Sequence, residues 1–232
     1  SDLVSSVAVP ASQKGTKPNI IVIYIDDLGY GDLSCYGATK VSTPNVDRLA
    51  KEGMRFTDAH AAAATSTPSR YSLLTGSYAF RARAGIQEGN APMLIAESTP
   101  TLPGMLQKKG YKTAVIGKWH LGLGDGEVNW NGKIAPGPLE RGFDYSYLIP
   151  ATGDRVPSVL VENHHVVGLD PEDPLYVDYT KKIGNDPTGT ENPELLRYKA
   201  DLQHAKTIVN GVSRIGWMSG GHAARWHDET VP

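Results

Sequence analysis

Three short stretches place reactive side chains beside expected ends of strands or helices. Asp26 and Asp27 directly follow the apolar run Asn19 to Ile25. Adjacent carboxylates at a strand end repel each other and lose solvation, which favours a bound cation. Their hard oxygens suit Ca²⁺ or Mg²⁺. A solvated turn that caps a helix accounts for the same pair. The second stretch is Ser66-Thr67-Pro68-Ser69-Arg70. A nucleophile beside a helix start lies in the positive field of that terminus, where backbone N–H groups hold anions. Arg70, one short turn on, adds a fixed charge, although serine-rich caps are common without any chemistry. The third is Lys118-Trp119-His120. Residues two apart on an extended segment point the same way, so Lys118 and His120 are expected to face one pocket. That pairing suits an anionic substrate and proton transfer, and an exposed strand end with an interfacial Trp explains it equally.

The elements that must position these groups follow from periodicity. Asn19 to Ile25 reads as a parallel strand buried on both faces. Thr43-Pro44 signals a helix with Thr as N-cap and Pro at its first position. Val46, Leu49 and Ala50 give that helix an apolar face, and Gly53 ends it. Met54 to Ala59 reads as a strand. Thr67-Pro68 repeats the cap signal and predicts a helix from Pro68 to about Leu74. Thr101 to Lys109 reads as a helix, and Tyr111 to Gly117 as a strand. This alternation indicates α/β architecture, a mostly parallel sheet sandwiched by helices. Catalytic groups in such sheets lie beyond the carboxyl ends of strands, where Asp26-Asp27 and Lys118 to His120 fall. After Gly124 the signals thin. Asn129 to Pro138 and Asp170 to Pro193 read as loop. Ser158 to Val167 reads as a hairpin around Glu162-Asn163, and Ile215 to Pro232 shows no closing element.

Composition narrows the functional classes. With 23 Lys+Arg against 25 Asp+Glu, the net charge of −2 argues against nucleic acid as a partner and against a polybasic membrane surface. A 40% hydrophobic fraction fits a folded chain of 232 residues. The one cysteine, Cys35, excludes an internal disulfide and any multi-cysteine metal site. No apolar run approaches membrane-spanning length. Residues 1–17 are small and polar and read as a flexible lead-in, which leaves 18–232 as the folded part.

The motifs together resemble a known family. Lys17-Pro18-Asn19-Ile20-Ile21-Val22 running into Asp26-Asp27-Leu28-Gly29-Tyr30-Gly31-Asp32 resembles the opening of type I, formylglycine-dependent sulfatases. Thr43-Pro44-Asn45-Val46-Asp47-Arg48-Leu49-Ala50 does so too. Ser66-Thr67-Pro68-Ser69-Arg70 with Leu74-Thr75-Gly76 is similar to the family's Cys/Ser-x-Pro-x-Arg signature. Gly117-Lys118-Trp119-His120-Leu121-Gly122 is similar to its second signature. The resemblance is ordered from about residue 17 to 145 and weaker over Gly211 to Glu229.

The resemblance implies the alkaline phosphatase superfamily fold and hydrolysis of a sulfuric ester. It implies that Ser66 is the formylglycine precursor and binds Ca²⁺ together with Asp26 and Asp27. Arg70 then holds the nucleophile's hydroxyl, Lys118 contacts the sulfate, and His120 serves the diol. A serine at the first signature position implies a bacterial member, matured by a radical enzyme and located in the periplasm or secreted; a cysteine replaced by serine would read the same. Family members are about twice this length, so the resemblance implies an N-terminal portion. The remainder, with further metal ligands and the leaving-group acid, would be supplied elsewhere, as a separate chain if not on this one. By analogy the substrate is a carbohydrate sulfate, with a sulfated galactose-type sugar as first choice. His164 and His165, on the expected hairpin, are candidates for reading that sugar. Their rings alternate, so at most one reaches it, and an exposed turn explains them equally. A phosphomonoester or phosphonate hydrolase of the same superfamily, and an inactive module that binds sulfated glycan, are the competing readings.

Overall fold

The computed structural model describes residues 17–227. The lead-in expected over 1–17 therefore lies outside the described residues except for Lys17. Where one folded part was expected over 18–232, the chain divides into two compact units, with the boundary between Asp58 and Ala59.

Among its described residues the first unit contains one α-helix, α1, over Pro44–Glu52. It starts at Pro44 as the sequence predicts, but the Thr43 hydroxyl does not cap it. That hydroxyl instead accepts from the Ser34 amide at 2.9 Å and donates to Asp47 Oδ1 at 3.2 Å. Ser34 Oγ donates to Asp47 Oδ2 at 2.6 Å. This bond leads the causes that hold the Asp47 carboxyl below its ordinary value. The apolar run Asn19 to Ile25 forms no strand ladder among the described residues. Ile21 is 85% exposed and Ile23 73%. The run has the composition of a strand buried on both faces, but a strand exists only through hydrogen bonds to neighbours, and there is no other strand among the described residues of this unit. The strand expected over Met54 to Ala59 is likewise absent.

The second unit carries the sheet and the core. Helix α2 spans Ser66–Thr75 and α3 spans Leu102–Lys108. Thr101, read from the sequence as the first helical residue, caps α3 instead: its Oγ1 accepts from the Gly104 amide at 3.1 Å and donates to the Arg141 carbonyl at 2.7 Å. Strand β1 covers Ala114–Lys118 and pairs in parallel with β2, Tyr145–Ile149. Strands β3 (Val161–Glu162) and β4 (His165–Val166) extend the sheet antiparallel, in the order β1-β2-β3-β4. The sheet is thus mixed, with parallel pairing only between β1 and β2. The expected hairpin is present, with its turn at Asn163 and His164, one residue later than predicted. Asn163 takes a left-handed φ of 52° there.

Past Gly124 the chain holds more order than its periodicity suggested. Strand β5, Tyr176–Asp178, lies within the expected loop. It pairs antiparallel with β8, Trp217–Ser219, which closes the fold. A tight hairpin joins β6, Ile208–Val209, to β7, Val212–Ser213. The core gathers Ile95, Trp119, Leu121, Leu148, Val159 and Met218, all at most 2% exposed.

Two histidines tie this irregular half together. His204 bonds Asp201 Oδ2 through Nδ1 at 2.8 Å and Asp154 Oδ2 through Nε2 at 2.9 Å. His222 bonds Asp173 Oδ2 through Nδ1 at 2.8 Å and Asp186 Oδ1 through Nε2 at 2.9 Å. Arg225 adds a bidentate pair to Asp186 at 3.0 and 3.1 Å. An ionised carboxylate only accepts, so both bonds on one ring require the imidazolium. The Asp154 bond leads the causes that raise His204, and the Asp173 bond leads those that raise His222. A raised histidine stabilises fully below its unfolded value, and that stability is lost as pH rises through the folded value. Melting temperature should therefore fall as pH rises from about 6 to 9. The fall should be shallower in a His204→Gln/His222→Gln variant, and calorimetric scans across that range read the difference. Equal slopes in both proteins would show that the rings carry no charge in the fold.

Candidate active site

Helix α2 begins two residues earlier than the Thr67-Pro68 signal predicts. The cap position belongs to Thr65, in extended conformation. The Ser69 amide already bonds the Thr65 carbonyl at 3.2 Å. Pro68 is tolerated in the first turn, where its missing N–H has no intrahelical partner to lose. Ser66 therefore opens the helix rather than preceding it. Thr67 does not cap because its hydroxyl is used elsewhere: it donates to the His120 carbonyl at 2.9 Å and accepts from the Gln87 amide at 3.2 Å.

The stretch Lys118-Trp119-His120 is held by the sheet. Beyond β1, the Trp119 and His120 amides continue the pairing onto the Ile149 and Pro150 carbonyls, each at 3.0 Å. Trp119 is a core residue, 2% exposed, and meets Phe143 edge-on at 6.3 Å. His120 adopts φ 58°, a conformation that costs a non-glycine residue of order 1–3 kcal/mol and is maintained only by its surroundings. The simple alternation expected for Lys118 and His120 is thus broken at His120.

These two elements converge on Ser66. His120 Nδ1 lies 3.0 Å from Ser66 Oγ, and Arg70 Nε donates to that same oxygen at 3.1 Å. Arg70 Nη1 also donates to the Lys118 carbonyl at 2.8 Å. His120 Nε2 faces the Gln87 carbonyl at 2.8 Å. That carbonyl only accepts, so Nε2 carries the hydrogen and Nδ1 presents a lone pair to the Ser66 hydroxyl. Burial is the main reason the His120 pKa falls to about 4. The Gln87 carbonyl opposes this, and the positive charges of Lys118, Arg155 and Arg70 add to it. At neutral pH the ring is therefore neutral, with a bare but weakly basic Nδ1, within a field of three cations. Such a site can accept a proton from residue 66 while attracting an anion.

Four of the expected residues thus fall in one place: Ser66, Arg70 and His120 by contact, and Lys118 by its carbonyl and its charge. Asp26 and Asp27 are exposed and belong to the first unit, where Asp27 has φ 54°. They are donors of the right kind for Ca²⁺, which takes six to eight oxygens. Among the described residues, however, no group of three or more His, Cys, Asp or Glu side chains could hold a metal ion. The donors fit in type and fall short in number.

His164 and His165 are not brought to this site. Asn163 bonds Ser146 at the start of β2, whereas Trp119 and His120 bond Ile149 and Pro150 at its end. The hairpin turn is therefore separated from His120 by roughly 13 Å of strand. His164 is engaged with Glu140, Nε2 to Oε1 at 2.7 Å, and His165 is exposed on β4. Antiparallel pairing sends the turn to the opposite end of the sheet, which corrects the expectation that it reads a ligand at Ser66. Thr67, Gln87 and Arg155 are the contributors that sequence reading missed. Thr67 looked like a cap, Gln87 acts through its backbone, and Arg155 lay in a segment without periodic signal.

The chain belongs to the sulfatase family, whose model matches residues 18–165. Its α/β architecture is that of the alkaline phosphatase-like sulfatases. Over 221 residues it is 57% identical to an N-acetylgalactosamine-6-O-sulfatase of Bacteroides thetaiotaomicron, covering 94% of this chain and 43% of that one. It is 44% identical over 146 residues to human arylsulfatase H, covering 59% of this chain and 25% of the other. A solved structure concerned with the metabolism of multiple glycosaminoglycans by Bacteroides thetaiotaomicron matches with a TM-score of 0.91 and 58% identity. That match covers 93% of this chain and 45% of the other. The chain thus spans less than half the length of these relatives.

Gly122 shows how tightly the His120 segment is held. It has φ 76°, and a Cβ there would lie 1.8 Å from the Pro92 carbonyl oxygen. The flanking bonds Leu94 N to Leu121 O and Leu123 N to Ala91 O, both at 2.9 Å, zip these strips together. Gly122→Ala should cost about 2–4 kcal/mol, from steric overlap and a left-handed alanine. Urea denaturation measures it, and a loss below ~1 kcal/mol would show that the two strips can part freely.

Proposed function

We propose that this chain carries the nucleophile-bearing site of a sulfuric ester hydrolase that removes O-sulfate from a carbohydrate. The observation that carries the reading is the Ser66 oxygen held between Arg70 Nε and His120 Nδ1 in a member of the sulfatase family. A galactose-type sugar sulfate is the substrate class favoured. The 57% identical relative named for 6-O-sulfated N-acetylgalactosamine supports that choice.

Ser66 fits the formylglycine precursor. It is half-buried, its oxygen has a donor and an acceptor already in place, and it opens a helix. Once formed, that group supplies the nucleophile toward sulfur and the second hydroxyl through which sulfate is expelled. The chain's own residues do the rest. Arg70 holds the oxygen on residue 66 and fixes its direction. His120, neutral and with Nε2 protonated, takes a proton at Nδ1. Lys118 and Arg155 add positive field, which favours an anionic ester and the charge that develops on it. Asp26 and Asp27 are proposed as two ligands of a Ca²⁺ ion whose remaining oxygens come from beyond the described set. Conversion of Ser66 requires a maturing enzyme of the radical class. The reading places the protein in the periplasm or outside the cell. No helix among the described residues is long and apolar enough to cross a membrane.

Mass spectrometry of the Ser66 peptide, after co-expression with such an enzyme, should show the aldehyde. The matured protein, with all of its chain, should release sulfate from N-acetylgalactosamine 6-sulfate. Lys118→Ala and His120→Ala should each lower turnover by roughly 10²–10⁴. Matured protein that binds sulfated sugars without releasing sulfate would assign it instead to glycan binding. Faster turnover of phosphate monoesters than of sulfates would move it to the phosphohydrolases.

A further inference from the structure

Thr67 has no part in the proposed reaction, yet it exposes no surface and spends its hydroxyl twice. It donates to the His120 carbonyl at 2.9 Å and accepts from the Gln87 amide at 3.2 Å. Its two partners are the two residues that decide which imidazole nitrogen is bare. His120 carries the ring, and the Gln87 carbonyl receives the ring's one hydrogen at 2.8 Å. The backbone of His120 is left-handed, so its carbonyl stays in place only while something holds it.

We propose that Thr67 is a positioning residue that locks His120 in its Nε2–H tautomer and so aims the Nδ1 lone pair at the oxygen on residue 66. The proposal rests on the reading of Ser66 as the reactive position. With the lock in place, the Ser66 hydroxyl donates to Nδ1 and accepts from Arg70 Nε, so every polar group is matched once. If the Gln87 carbonyl moved away, nothing would hold the hydrogen on Nε2. On Nδ1 it would point at an oxygen that already receives the Arg70 N–H. Residue 66 would then face two donors and no acceptor, and the proton from its oxygen would have nowhere to go. Because Thr67 adjoins Ser66 in the first turn of α2, the helix that presents the oxygen also fixes the base that faces it.

The test reads the tautomer directly. The full chain, with Ser66 unmodified and histidine labelled with ¹⁵N, is examined by long-range ¹H–¹⁵N correlation, in which the two neutral tautomers give different patterns. In the wild-type protein His120 should show the Nε2–H pattern alone. Thr67→Val keeps the shape and removes the hydroxyl, and it should introduce the Nδ1–H form or an average of the two. Thr67→Ser should restore the wild-type pattern. A wild-type spectrum with hydrogen on Nδ1 overturns the proposal without any variant, even if Thr67→Val fails to fold. An unchanged Nε2–H pattern in Thr67→Val overturns it too. In matured protein the valine variant should lose kcat with little change in KM, and serine should recover it. If no form of the protein turns over a sulfate ester, the functional reading fails while the tautomer measurement still decides the role of Thr67.

Discussion

A buried, neutral imidazole is the constraint around which the site is arranged. His120 is 1% exposed, so its ionisation is disfavoured by lost solvation and by three neighbouring cations. A buried ring with two polar nitrogens needs a partner for each. The Gln87 carbonyl and the Ser66 hydroxyl supply them, one from the segment that follows α2 and the other from the first turn of that helix. Satisfying the ring therefore fixes α2 against the end of β1. Arg70 completes the arrangement by bridging Ser66 Oγ and the Lys118 carbonyl. The imidazole, the Ser66 oxygen and the guanidinium thus share one hydrogen-bond network, and moving any one of them leaves a polar group unmatched.

The same network reaches into the irregular half of the second unit. Arg155 acts on His120 through its charge, and it follows Asp154, which His204 holds at 2.9 Å. The 154–156 segment is also pinned by Ile215 N to Asp154 O at 2.8 Å and Val156 N to Ile215 O at 3.1 Å. A cation near a base is useful only if it stays put, because at short range its effect changes steeply with distance. Two backbone bonds and a histidine–carboxylate contact hold this one, in a region with few regular elements. The carboxylate beside Arg155 is itself kept ionised by its bonds to Thr152 and His204, despite its burial.

Much of the site was legible because its residues are crowded into short motifs. Ser66 and Arg70 are one helical turn apart, and Lys118 and His120 follow a strand, so spacing alone put them in plausible places. What escaped is what side-chain identity does not encode. Gln87 contributes a backbone carbonyl, and Thr67 wears the sequence of a cap while serving as a clamp. The Asn210-Gly211 pair was a signal present and overlooked. Flanked by Ile208-Val209 and Val212, with φ of 52° and 74°, it is the hairpin turn between β6 and β7. His164 failed for a topological reason: an antiparallel hairpin returns its turn to the start of β2, and periodicity does not say which end of a sheet a turn occupies. The apolar run Asn19 to Ile25 carried the composition of a buried strand. Composition cannot supply the neighbours that make such a strand, and there are none among the described residues of the first unit.

The serine at position 66 sharpens what the geometry asks of this chain. As it stands, the hydroxyl meets a lone pair at 3.0 Å and a guanidinium N–H at 3.1 Å, the surroundings of an activated nucleophile. Activation alone would be unproductive. A single oxygen that had captured sulfate would be held as an ester, with no second hydroxyl on the same carbon to expel it. His120 would also have no further proton to take from residue 66. The formylglycine proposed above, once hydrated, would supply a second hydroxyl on the same carbon, whose proton Nδ1 could accept once the first had left the ring for solvent. The pairing of one base with one donor, both fixed on residue 66, is therefore matched to a side chain that offers its protons in succession.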